Sequence, residues 1–150
     1  MPNYECVMCE RREAITAFVP EACSSCGGTL VLTEAEQQAI TERVATQNDR
    51  FRTTWGADAE VFGRMVFTPG VTENGGAFIA KVREAVRGFD SFTADNDPYG
   101  EHDFGAVTVE GVKVYWKIDL FDADYDAGSE LRDDLAATRR VLTILLPGEY

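Results

Sequence analysis

The ten residues VKVYWKIDLF, 112–121, alternate without a break. Val112, Val114, Trp116, Ile118 and Leu120 fall on one side, and Lys113, Tyr115, Lys117, Asp119 and Phe121 on the other. A period of two belongs to an extended strand with one apolar face and one mixed face. Just before it, Val107 and Val109 lead into Glu110-Gly111, a short turn, so a second strand precedes the first. Near the C-terminus, RRVLTILLP (139–147) reads as a buried strand. Between these strands, DADYDAGSELRDD (122–134) reads as an acidic loop with at most one helical turn.

Upstream the period becomes helical. Thr33 and Glu36 form a capping box, followed by Ile40, Val44, Gln47 and Phe51 at helical spacing. That helix should stop near Thr53–Trp55, ahead of Gly56. The segment EVFGRMVFTPG (60–70) predicts a strand ended by Pro69-Gly70. A second amphipathic helix is expected over 73–88, with Phe78, Val82, Ala85, Val86 and Phe89 on one side. Sequential strands joined by short turns imply an antiparallel sheet with two helices on one face, an α+β fold over residues 33–150. Residues 1–32 read as a small zinc ribbon in front of it.

The ribbon rests on Cys6-x-x-Cys9, thirteen residues, then Cys23-x-x-Cys26-Gly27-Gly28. In a chain without a secretion signal, such pairs read as metal ligands before disulfides. Zinc takes four thiolates in a tetrahedron, and each Cys-x-x-Cys turn supplies two of them. A glycine after the second cysteine tolerates the positive φ of that turn. Gly27 occupies this place in the second knuckle, whereas the first has Glu10. A tight hairpin across residues 11–21 would join the knuckles. Cys6, Cys9, Cys23 and Cys26 are therefore the metal set, for structural zinc ahead of a rubredoxin-like iron or a redox dithiol. A closed four-sulfur site stabilises and presents surface; it has no open position for chemistry.

The formal net charge is −12, and residues 90–134 hold thirteen acids against three bases. Such a field opposes direct nucleic-acid binding and suits cations or a basic protein surface. With 45% apolar residues and no stretch of about 18 apolar residues, the chain reads as a folded, cytoplasmic protein.

DNDPYGEHDFG (95–105) holds the single histidine. Asp95, Asp97 and Gly100 match the opening of a calcium loop, yet Tyr99 and Ala106 occupy later ligand positions and Pro98 restrains the backbone. Asp95, Asp97 and Asp103 could form only a looser cation site. His102, Asp103 and Asp119, with Lys117, are the candidate catalytic set for a metal-dependent hydrolase such as a nuclease. The Asp…Glu-x-Lys nuclease order is missing, since Glu110 and Lys113 are three apart across a turn. The competing reading is an ordered acidic turn. Phosphate-loop and dinucleotide fingerprints are absent, and Gly75-Gly76 reads as a flexible helix start.

From about Phe51 to Tyr150 the chain resembles a family of small bacterial proteins known only as a domain of unknown function. Asn48-Asp49, Phe51-Arg52, VFTPGV (66–71), FDSFTADNDPYGEHDFG (89–105) and YWKIDLFD (115–122) carry the resemblance. GSE (128–130), TRRVLTILL (138–146) and Glu149-Tyr150 complete it, which implies a complete C-terminal end. The resemblance implies an association with plasmids, phages and other mobile elements, whose small accessory proteins often counter host defences. It supplies no catalytic residues. The leading expectation is thus a non-enzymatic zinc-binding module that presents its acidic face to a basic protein, with Tyr99, Phe104, Tyr115 or Phe121 as anchors. A hydrolase at His102 is second. A zinc-ribbon nucleic-acid adaptor, supported only by Arg11 and Arg12, is third.

Overall fold

The computed structural model describes residues 3–14 and 22–150, with the side chains of 13 and 14 outside that description. The chain divides into two compact units, residues 1–40 and 41–150. In the first, β1 (Asn3–Cys6) pairs antiparallel with β2 (Arg12–Ala14) and with β3 (Leu30–Leu32), giving the order β2-β1-β3. The hairpin expected across 11–21 falls largely outside the described residues. Helix α1 (Glu34–Thr53) starts in this unit, where the Thr33 hydroxyl accepts the Glu36 N–H at 3.2 Å. That contact is one half of the expected capping box. The helix continues into the second unit and ends at Thr53, where Trp55 and Gly56 take φ values of 52° and 77°.

The second unit follows with β4 (Gly63–Phe67), the single-turn α2 (Pro69–Thr72) and α3 (Gly76–Arg87). Then come β5 (Phe104–Val109), β6 (Val112–Phe121), β7 (Arg139–Leu145) and a 3₁₀ turn (Pro147–Glu149). The α+β class and the three C-terminal strands are as expected. The β5–β6 hairpin turns at Glu110-Gly111, both in the left-handed region at φ 51° and 79°. That is the tight hairpin turn whose twist matches its strands. The helix expected over 73–88 is α3, which starts later, at Gly76, after Gly75 at φ 90°; an additional single turn, α2, precedes it and starts at Pro69 with its fixed φ. Segment 122–134 contains turns and an isolated bridge from Phe121 to Gly128, with no helical turn.

The sheet order is β4-β7-β6-β5. Three strands are antiparallel as expected, but β4 lies parallel to β7. The reason is the helix between β4 and β5. A crossover carrying a helix returns the chain to the end of the sheet where β4 began, so β4 and β5 run the same way. Two antiparallel pairings then align β7 with β5, and so with β4. Strand β7, which reads in sequence as one more strand in a row, takes the centre beside β4.

One sheet face carries Val109, Val114, Trp116, Ile118, Leu142 and Ile144, all buried against Phe51 of α1 and Phe78, Val82 and Val86 of α3. Gly105 lies opposite Trp116; a Cβ there would sit 2.4 Å from the indole Nε1. Burying each large apolar side chain stabilises by about 1.5–3 kcal/mol, so this face supplies most of the driving force. The opposite face displays Phe104, Lys113, Tyr115, Lys117, Asp119, Thr143, Arg64 and Val66 by the same alternation. Among the described residues no helix is long and apolar enough to cross a membrane.

Candidate functional site

The two Cys-x-x-Cys segments fold alike. Cys6 N–H donates to Arg11 O at 2.9 Å and Glu10 N–H to Cys6 O at 3.0 Å. Cys23 N–H donates to Gly28 O at 2.8 Å and Gly27 N–H to Cys23 O at 2.9 Å, the same pair of bonds shifted by seventeen positions. Glu10 has φ 61° and Gly27 φ 76°, so a side chain occupies the left-handed place that favours glycine, at a cost of about 1–2 kcal/mol. Backbone N–H groups of Met8, Ser25 and Gly28 each point at a cysteine sulfur at 3.4 Å. Gly28 brings the knuckles together, since a Cβ on it would meet Met8 Cγ at 2.6 Å and Cys6 Sγ at 2.8 Å.

The four sulfurs lie within 4.8 Å of one another, with Cys6–Cys26 at 3.4 Å and Cys9–Cys23 at 3.8 Å. A tetrahedron with metal–sulfur bonds of about 2.3 Å has edges near ~3.8 Å. The cage has metal size, and its separations are far longer than a disulfide's. The Cys9 N–H, against burial, pulls the Cys6 thiol down to about 6. Cys26 is pushed up to about 12 because, although the Gly28 N–H lowers it, the Cys6 and Cys9 sulfurs and burial together outweigh that donor. Cys6 thus ionises readily while Cys26 resists, and a central cation would bring Cys26 down as well. The four cysteines can therefore bind a metal.

The acidic stretch is organised differently. Asp97 is 7% exposed; its Oδ1 accepts the N–H groups of Glu101 and His102, each at 3.1 Å. His102, at φ 55°, stacks on Phe92 with centroids 3.9 Å apart and planes 4° from parallel. Its Nδ1 lies 2.8 Å from Asp49 Oδ2 on α1, and its Nε2 3.7 Å from Asp97 Oδ2. Both ring nitrogens thus have a carboxylate within 4 Å. Glu101 pairs with Arg132, which ties this loop to the second acidic loop. The Asp103 carboxyl is raised by burial first, then by Glu101 and Asp97, with Arg132 opposing.

Sequence reasoning missed the buried polar network beneath these loops. Asn48 and Arg140 have no exposed surface and Arg52 is 2% exposed. Asn48 Nδ2 donates to Glu101 O at 2.9 Å, and its Oδ1 accepts from Arg140 Nε at 2.7 Å. Arg140 Nη2 reaches Gln47 Oε1 at 2.9 Å, and Gln47 Nε2 reaches Asp133 O at 2.9 Å. Burial, with repulsion from Arg132 and Arg50, brings the Arg140 guanidinium down to about 10. Arg52 donates to Val86 O, Arg87 O and Asp49, and lies over the rings of Phe92 and Trp116. The available signal was spacing: Val44, Asn48, Phe51 and Arg52 share one helix face, so two polar residues sit on the buried stripe.

The proposed hydrolase residues are distributed over different places. Lys117 and Asp119 pair with each other at 3.1 Å on the sheet face away from the helices. Asp103 lies opposite Ile118, whose N–H donates to its carbonyl at 2.8 Å, which by alternation is the helix-side face. His102 is held by Asp49 and Asp97. Asp95 is exposed, whereas Asp97 is buried. Among the described residues, the cysteines are the single group of three or more His, Cys, Asp or Glu whose ligand atoms converge.

No curated protein and no solved structure matches the chain. A family model described as "Protein of unknown function (DUF3768)" matches residues 67–149, from the end of β4 through the 3₁₀ turn. That span holds β5, β6, β7, both short helices and both acidic loops, more than half of the chain, and the protein belongs to the DUF3768 family.

Proposed function

We propose that the protein is a non-enzymatic, cytoplasmic interaction module, stabilised at its N-terminus by one zinc ion on Cys6, Cys9, Cys23 and Cys26. The observation that carries the metal assignment is the four-sulfur cage of tetrahedral dimensions. Its donor set suits zinc, and iron shares the same sulfur geometry. The metal would supply no reactive position; it would replace the apolar core that so short a segment lacks.

The binding face is the pair of acidic loops, 95–103 and 122–134. They are linked through Arg132–Glu101, and α1 donates to each through Asn48 and Gln47. Their carboxylates are spent on turns and ion pairs or left facing water, which supports an electrostatic docking surface over a metal centre. The partner is a protein with a basic surface, such as a host nucleic-acid-binding or defence enzyme. The resemblance to proteins of plasmids, phages and other mobile elements favours an inhibitor or modulator.

The test is metal stoichiometry by elemental analysis after gel filtration from Zn²⁺, Mg²⁺, Mn²⁺ and Ca²⁺. One zinc per chain, lost in Cys23→Ser/Cys26→Ser and retained in His102→Ala, is the expected result. A second metal that disappears in His102→Ala would put the hydrolase reading first.

A further inference from the structure

The −12 charge is an average over two unlike surfaces. Of the three bases in segment 90–134, Lys113 and Lys117 both project from the sheet face away from the helices. Arg64 on β4 and Arg139 on β7 share that face, and Asp119 is the acid among them. This face therefore carries four cations and one carboxylate, in a chain that is otherwise acidic.

Aromatic rings lie among these cations. Phe104 on β5 and Tyr115 on β6 are 5.1 Å apart, and Tyr150 closes on both from 6.2 and 6.3 Å. Tyr150 is 78% exposed. Lys113 lies over the Tyr115 ring at 5.4 Å, and Lys117 follows two residues later on the same face. Thr68, Lys117, Thr143, Leu145, Glu149 and Tyr150 line a shallow depression beside the rings. The Glu149 carboxylate, in the same depression, is occupied by the Thr68 hydroxyl and the N–H groups of Leu146 and Gly70.

One acid, Asp119, reaches this end of the sheet, paired with Lys117 at 3.1 Å, and a phosphate at Lys117 would compete with that carboxylate. Asp122 lies five residues along β6 from Lys117, about 17 Å of strand, whereas salt screens charge over about 8 Å at physiological strength. In the loop that enters Phe104, Asp97 is buried, Glu101 is paired with Arg132, and Asp103 belongs to the helix-side face.

We propose that this face binds single-stranded nucleic acid, with bases stacking on Tyr150, Tyr115 and Phe104 and phosphates met by Lys113 and Lys117. An exposed ring packed on two half-buried ones, with cations beside them on an open sheet, suits a ligand that offers π faces and negative charge at once. An acidic peptide would use the cations and leave the rings idle. The site is separate from the acidic loops, and the two could hold a nucleic acid and its basic protein partner together.

The test is fluorescence anisotropy of labelled dT12 with the full zinc-supplied chain at 50 and 200 mM salt. Two phosphate contacts predict a loss of about sevenfold in affinity across that range. Tyr150→Ala should weaken binding about tenfold, and Lys117→Gln should flatten the salt slope by about 0.7. Tyr150 is exposed and Lys117 half-buried, and circular dichroism checks that the fold persists in both variants. Absence of binding at 50 mM salt, indifference to both substitutions, or equal competition by a twelve-residue polyglutamate would overturn the proposal.

Discussion

Asn48→Ala should be the most damaging single truncation of a polar side chain in this protein. Its amide joins three segments distant in sequence: α1, the 95–105 loop through Glu101 O, and β7 through Arg140 Nε. The bond to the guanidinium is charge-assisted and contributes about 1.5–3 kcal/mol, and the bond to the carbonyl about 1 kcal/mol. Truncation also leaves Arg140 more poorly compensated, although its Nη1 is already unpartnered and its charge is disfavoured by burial. A total loss of about 3–4 kcal/mol follows, a large share of the 5–15 kcal/mol typical of a domain. Urea unfolding followed by tryptophan fluorescence reads the loss, because Trp116 is fully buried in the core. Asn48→Asp keeps the acceptor for Arg140 and loses the donor to Glu101, so it should cost about 1–2 kcal/mol and speed amide exchange at Glu101–Phe104. A loss below about 1 kcal/mol in Asn48→Ala, with the fold intact, would refute the claim that this network anchors the acidic loop.

The two knuckles offer a paired test of opposite sign. Glu10→Gly should relieve the left-handed strain and Gly27→Ala should create it, each by about 1 kcal/mol, read as about fivefold slower or faster zinc release to a chelator. Effects of the same sign would break the equivalence. Gly105→Ala should cost about 2–3 kcal/mol in urea unfolding, because the new methyl meets a Trp116 ring held edge-on by Phe89 and Phe92. Two carboxyls should respond oppositely to pH. Asp103 is raised above 3.8, so its ionised form costs stability at neutral pH; Asp103→Asn should raise the melting temperature at pH 7, with the gain fading as pH falls toward 3.8. Glu149 is lowered below 4.5, chiefly by the Thr68 hydroxyl, so it stabilises above that value. Glu149→Gln should therefore lower the melting temperature at pH 7 and make no difference well below pH 4.5. Melting curves that respond in the same direction for both would contradict the assignment.

The strands β5, β6 and β7 were legible because alternation is a local signal, and 112–121 shows it over ten residues. The four cysteines were legible because ligand type and spacing are themselves the chemistry. The parallel placement of β4 was not, since it follows from a crossover of some forty residues and not from any pattern within the strand. Gly75-Gly76 reads as a flexible helix start and does open α3, but Pro69-Gly70 reads in sequence only as a stop. Proline both ends β4 and begins α2, and the first role concealed the second. The Asn48–Arg140 bond joins residues 92 positions apart, and no periodicity speaks to such a distance. The type and sequence neighbours of His102 admit a catalytic role only as a second reading, behind an acidic turn. Its partners came instead from Asp49, on a helix fifty-three residues earlier, and from Phe92.

The position of β7 has a consequence for the order of synthesis. It is made after β4, β5 and β6, yet it sits between β4 and β6 and hydrogen-bonds to both. Until it leaves the ribosome, β4 and the β5–β6 hairpin cannot be joined, and Val66, Phe67, Trp116 and Ile118 have no sheet to complete. The sheet of the second unit is therefore completed only once β7 is available. A nascent chain stalled before Arg139 would expose two strand edges at once, and those edges are what a chaperone or a second chain would pair with.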